Sequence, residues 1–246
     1  MNIPILMYHE VGERVDPRFR KYTVTPARFA AQVGWLAGKG YSTILPDQLL
    51  AGRRGQAELP ARPVMITFDD GFADSVRHAV PVLSSLGFTA VFYVVTGLVG
   101  KTSRWIQSEL GLELPLFDWS AAKELEAGGF RCESHTVSHP RLARLEPAAC
   151  RRELVDSRMA LEDRLGREVR HLAYPFGSYD DRVAAIAHEA GYVSACTSDI
   201  GLSAATDRPL ALRRVLVSGE DTPLDFRFLV RSGMTAWQRV KSSFRA

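Results

Sequence analysis

Two aspartates, Asp69 and Asp70, stand side by side in VMITFDDGFADSV (64–76), where an apolar run meets Gly71. Two histidines, His135 and His139, stand four apart in SHTVSHP (134–140), and Pro140 favours a loop pair over a helical one. Two neutral imidazoles and one carboxylate suffice for a catalytic zinc site with one position left open. A cation also gives the doubled aspartate a purpose. One carboxylate offsets its charge and the other is free to accept a proton from water. Without a cation, two adjacent ionised carboxylates repel and raise each other's pKa. A helix N-terminus, which favours negative charge, accounts for one of them more easily than for both. His9 in MYHEV, taken alone, reads as a satisfied structural histidine. YPFG (174–177) reads as a turn, and a turn at a strand end can aim a backbone N–H into a site, as an oxyanion donor must. Trp105, Trp119 and Tyr179 fall in or beside loops, where aromatic faces suit sugar rings. No glycine pattern of a phosphate loop is present.

The elements that must position these residues alternate. IPILMY (3–8), YSTIL (41–45), VMITF (64–68), FTAVFYVV (88–95), FRCES (130–134), VRHLAYPF (169–176), YVSACTS (192–198) and LALRRVLV (210–217) read as strands. Between them lie helical patterns. The first has Thr25 as N-cap, Pro26 at its first position and Gly40 as its stop; a short one is capped by Asp47; the longest ends at Gly166. Residues 96–118 read as a long irregular loop, and such loops are commonly functional. Strand–helix units of this length give parallel strands with crossover helices, as a barrel or a doubly wound sheet. In either, the polar clusters at 9–10, 69–70, 134–140 and 174–181 fall at strand C-terminal ends and share one rim.

The 246 residues, 46% of them hydrophobic, are enough for one large core. Lys and Arg total 31 against 28 Asp and Glu, a balance of +3 that argues against a nucleic-acid partner. The one basic cluster, Arg239, Lys241 and Arg245, reads as a solvated tail. Cys132, Cys150 and Cys196 have neither metal spacing nor a disulfide pattern. The N-terminus reads as neither signal peptide nor membrane anchor, so the expected location is cytoplasmic, or extracytoplasmic or membrane-peripheral if a leader has been removed.

TFDDG (67–71), SHTVSHP (134–140) and YPFG (174–177) resemble, in order and spacing, signature motifs of the polysaccharide deacetylase family, the NodB-homology carbohydrate esterases of family 4. The resemblance runs from ILMYHEV to about Val217. It implies a single-domain distorted (β/α) barrel of about seven parallel strands over 1–246, with 219–246 a peripheral extension. It implies one divalent metal, Zn²⁺ first, with Co²⁺, Ni²⁺ or Fe²⁺ as alternatives, and acetylated sugars as substrates. By the same resemblance Asp69 is the catalytic base, Asp70, His135 and His139 are metal ligands, and the Phe176 backbone N–H is the oxyanion donor. The chain departs from the family in having Tyr174 where an arginine usually orients the base, in lacking the C-terminal leucine–histidine motif, and in having Glu133 where glycine is frequent. The first two departures resemble the circularly permuted branch acting on poly-β-1,6-N-acetylglucosamine. There the acid histidine comes from an N-terminal MYH strand, which points to His9, and the arginine is expected from LRRVLV, as Arg214 in preference to Arg213. Tyr174, Pro175, Tyr179 and Trp105 are the expected substrate contacts.

The expected reaction is metal-dependent removal of acetyl groups from N-acetylated sugars, whether poly- or oligosaccharide or a lipid- or nucleotide-linked sugar. A metal-dependent hydrolase of small or cyclic amides and an inactive carbohydrate-binding protein are the alternatives.

Overall fold

The computed structural model describes residues 1–234. Along the chain run β1 (Ile5–Tyr8), β2 (Glu10–Val11), β3 (Thr23–Val24), α1 (Pro26–Gly38), β4 (Ser42–Thr43), α2 (Pro46–Arg53), β5 (Pro63–Phe68), α3 (Ala73–Ser85), β6 (Val91–Val94) and α4 (Arg104–Leu110). They are followed by α5 (Trp119–Ala127), β7 (Arg131–Ser134), α6 (Pro147–Leu165), β8 (His171–Ala173), α7 (Asp181–Glu189), β9 (Ser194–Ile200), β10 (Leu212–Leu216) and α8 (Pro223–Ser232). β1 and β5 to β10 pair in parallel, and four residue pairs from Ile5–Met65 to Tyr8–Phe68 join β1 to β5 and close the ring. The result is the distorted (β/α) barrel of seven strands that the resemblance implied, with β4 added outside the ring.

Successive residues of a strand face opposite sides, so each barrel strand feeds two apolar layers. Ile5, Met65, Val91, Tyr93, Ala173, Cys196 and Leu212 form one cluster, and contact among strands from opposite sides of the ring places it in the lumen. Leu6, Ile66, Phe92, Leu172, Ala195 and Val215 pack outward beneath the helices. Thr25 caps α1, accepting a hydrogen bond from the Arg28 N–H, and Pro26 occupies its first turn. α6 ends where Gly166 turns left-handed.

Three expectations are corrected. The N-cap of α2 is Leu45, with Asp47 inside its first turn. Residues 96–118 contain α4, whose buried Ile106 joins an apolar cluster with Phe19, Leu98 and Leu116. Ser42–Thr43 is all that pairs as a strand in the 41–45 segment. The basic cluster at 239–245 lies outside the described residues. No described helix is long and apolar enough to cross a membrane.

Candidate active site

β5 delivers Asp69 and Asp70 to the barrel's C-terminal rim. Asp70 takes a left-handed φ of 76°, so its carboxylate leaves the strand in a different direction from that of Asp69. β7 delivers His135, whose N–H still pairs with the Val94 carbonyl as a strand residue would. The chain then turns through Thr136 (φ 67°) and His139 (φ 63°). With Phe176 (φ 57°), these are the four non-glycine residues with positive φ among the described residues. Each such residue costs roughly 1–3 kcal/mol, and their gathering at one rim marks it as functional.

Asp70, His135 and His139 converge. Each Nε2 faces the same Asp70 oxygen, His135 at 3.3 Å and His139 at 3.1 Å, and one ligand atom from each residue lies within 4.8 Å of the others. All three are buried. One carboxylate and two imidazole nitrogens turned to one point fit a divalent cation of the zinc type. Burial pushes the Asp70 carboxyl up, but the two histidines beside it more than compensate and hold it below the usual range.

Asp69 faces the other way. Arg214 grips it with both terminal nitrogens at 2.7 Å, and donates two further hydrogen bonds, to the Thr197 carbonyl at 2.8 Å and Thr67 Oγ1 at 3.2 Å. Arg213 turns away to Asp207. A register shift in the pairing of β9 with β10 between Leu212 and Arg214 accompanies this placement. Burial pushes the Asp69 carboxyl up, yet Arg214 outweighs it and the net position is below the ordinary carboxylate value.

A cavity of about 470 Å³ opens over these groups. Of the residues singled out in the sequence, His9, Asp69, Asp70, Trp105, His135, His139, Tyr174, Phe176 and Arg214 line it. His9 rests against the Tyr22 ring at 4.9 Å, and burial lowers its pKa from the ordinary histidine value. Pro175 and Tyr179 are not brought to the lining. Tyr179 stacks behind Tyr174 at 5.0 Å and donates to Asp199, while the Tyr174 hydroxyl donates to the Leu210 carbonyl. Trp119 opens α5 with its ring towards Arg164. Glu133 lies inside β7 and accepts from Arg167 at 2.9 Å and from the His171 N–H at 2.9 Å, without lining the cavity.

Sequence reasoning missed Glu153. Its carboxylate accepts from the Val137 and Ser138 N–H groups, each at 2.9 Å, and from the Ser138 hydroxyl at 2.7 Å, clamping the chain between the two histidines. Nothing in the spacing of one glutamate on a charged helix marks that role. Arg141, whose guanidinium lies 3.8 Å over the Phe176 ring, was missed for the same reason.

The polysaccharide deacetylase family matches residues 56–195, more than half of the chain and both the aspartate and histidine motifs. The chain belongs to that family. Among relatives, YxkH of Bacillus subtilis is 28% identical over 216 residues, which cover 88% of this chain and 71% of that protein. A poly-β-1,6-N-acetyl-D-glucosamine N-deacetylase of Staphylococcus aureus is 23% identical over 181 residues, 70% of this chain; the match spans 60% of that enzyme's length. Among solved structures, the Streptococcus pyogenes deacetylase PplD in complex with acetate superposes with a TM-score of 0.80 at 25% identity, covering 94% of this chain and 98% of that one. IcaB from Ammonifex degensii shares the fold, with a TM-score of 0.78 over 94% of this chain. The staphylococcal relative agrees with a place for this chain in the circularly permuted branch of the family.

Proposed function

We propose that this chain is a metal-dependent hydrolase that removes acetyl groups from N-acetylated sugars, with poly- or oligosaccharide as the first candidate substrate. The observation that carries the reading is the pairing of two differently treated carboxylates: Asp70 shared with two buried imidazoles, and Asp69 held apart from them by Arg214. The name of the staphylococcal relative supports the sugar substrate, and the acetate bound in the deacetylase PplD supports the loss of an acetyl group. The activity is assigned to a domain spanning 1–246, with 219–246 as its C-terminal extension.

Asp70, His135 and His139 are the residues to hold the cation, Zn²⁺ first, with Co²⁺, Ni²⁺ and Fe²⁺ also suited to this donor set. A divalent cation supplies Lewis-acid polarisation of a carbonyl and lowers the pKa of water from 15.7 to roughly 7. Asp69, kept ionised by Arg214, takes the proton from the attacking water. The Phe176 backbone N–H donates to the developing oxyanion. His9 protonates the departing amine. A pKa lowered by burial makes its protonated form the stronger acid. The aromatic and apolar lining supplied by Tyr22, Trp105 and Phe176 gives the sugar faces to rest on.

Acetate release from N-acetylglucosamine oligomers by the chelated and Zn²⁺-restored protein tests the reading. Release that vanishes on chelation and returns with metal is expected. No release with restored metal, together with ring-opening of a cyclic imide, would transfer the site to small amides. No stoichiometric metal uptake would leave a carbohydrate-binding protein.

A further inference from the structure

We propose that Trp105 is a positioning residue for the cation site, its indole holding the His139 ring in its ligating orientation. The proposal rests on the reading that Asp70, His135 and His139 bind a divalent cation.

A ligating histidine ordinarily gives one ring nitrogen to the metal and donates from the other to an acceptor that fixes the ring. His135 follows that pattern, with Nδ1 2.8 Å from the Ala173 carbonyl. His139 does not. Its Nε2 faces Asp70, but its Nδ1 is buried and has no hydrogen-bond partner among the described residues. Its backbone is in the left-handed region, tied by an N–H donated to Thr136 Oγ1 at 3.1 Å. What holds the ring itself is aromatic contact. The Trp105 indole lies face to face with it at 4.3 Å and 24°, and Phe176 meets it edge-on at 4.5 Å.

A stacked partner can orient a ligand if it is itself fixed, and α4 is fixed on several sides. Buried Ser103, at its N-cap, accepts the Leu114 N–H on its hydroxyl and the Ile106 and Gln107 N–H groups on its carbonyl. Ile106 is packed beneath, and Arg18 donates to the Leu110 carbonyl at 3.0 Å. The indole face turned to His139 is covered by it, which distinguishes Trp105 from a platform that serves the sugar alone.

The test is the Zn²⁺ affinity of the full chain, read by competition with a chromophoric chelator. Trp105→Phe keeps a smaller ring; Trp105→Met keeps apolar bulk with none. Zn²⁺ Kd is expected to rise in the order wild type, Phe, Met, with the Met variant weaker by about tenfold, the lower end of what losing a ligand's supporting contact costs. Thermal unfolding of the metal-free proteins checks that each variant is folded. If the Met variant does not fold, the Phe variant decides, because it too must bind Zn²⁺ more weakly than wild type. Equal Kd values with a raised KM for N-acetylglucosamine oligomers would overturn the proposal and leave Trp105 as a sugar contact. Failure of the wild type to take up Zn²⁺ would instead overturn the cation reading beneath it.

Discussion

Arg214 and Asp69 are 145 positions apart in sequence and meet as a fork on a carboxylate, both nearly free of solvent. Two parallel charge-assisted bonds fix the carboxylate plane as well as its charge, which a lysine's single ammonium cannot do. Removing one partner of a buried pair leaves an uncompensated charge, so Arg214→Met is expected to cost about 3–5 kcal/mol in urea unfolding at neutral pH. The sign with pH follows from the depressed Asp69 pKa. The pair's contribution is present above the unfolded carboxylate value and is lost as pH falls through the folded one, so the variant's deficit shrinks in acid. A deficit that does not change between neutral and acid pH would refute this account. At the other end of the chain, His9→Ala is expected to retain stoichiometric Zn²⁺ while kcat falls about 10²–10⁴-fold, the usual worth of a placed acid. Metal loss in that variant would make His9 a ligand. The motifs made Asp69, Asp70, His135 and His139 legible because adjacent and four-apart spacings survive in one dimension. The choice of Arg214 over Arg213 rested on strand position, and the structure supplies its physical reason: the neighbour's side chain is engaged by Asp207.

Single elements show why part of the site stayed hidden in the sequence. α4 is seven residues inside a stretch rich in glycine, too short for periodicity to announce it, and it is fixed by tertiary contacts through Ser103 and Ile106. The clamp by Glu153 depends on α6 lying beside the histidine loop, which no local pattern encodes. The turn after β8 was readable as YPFG, though not its tightness. A Cβ on Gly177 would clash with the Ser198 side chain, and its φ of 62° disfavours any other residue. Gly177→Ala is therefore expected to destabilise the fold by about 1–3 kcal/mol and to lower kcat by displacing the adjoining Phe176 amide. Adding Ser198→Gly removes the side-chain clash but leaves the backbone nitrogen of residue 198 at 3.0 Å and the φ penalty, so the double variant should recover part of the loss. Full recovery, or none, would contradict this division.

Closure of the barrel is what turns scattered motifs into one site. β1, the first barrel strand in the chain, lies between β10, the last, and β5, so His9 arrives beside Arg214 from one end and the aspartates from the middle. The periodic strand–helix alternation made this architecture legible; the short parallel pair β2–β3 was not, since two-residue strands carry too little pattern. By contrast α8, with Thr222 as N-cap, Pro223 at its first position, Phe226, Leu229 and Val230 on one face and Gly233 as its stop, carries a readable pattern that sequence reasoning missed. α8 packs Phe226 against Trp35 of α1 at 5.9 Å, and Asp221 is caught beside that seam, accepting the Ser218 N–H at 2.7 Å. Burial pushes the Asp221 carboxyl up from 3.8 to about 6, more than the Ser218 hydrogen bond lowers it. Between about pH 4 and 6 the folded chain keeps a proton that the unfolded chain has released, so this group's contribution to stability declines as pH rises and levels off above 6. Two pKa units correspond to about 3 kcal/mol at most, and partial solvation reduces this to about 1–2. Asp69 runs with the opposite sign, so the total curve does not isolate Asp221; the difference from Asp221→Asn does. The variant is expected to match wild type near pH 4 and to exceed it by about 1–2 kcal/mol at pH 7.5, some 2–8 °C in Tm for a chain of this size. Parallel stability curves for the two proteins from pH 4 to 7.5 would show that the carboxylate at the α1–α8 seam is already paired well enough to cost nothing.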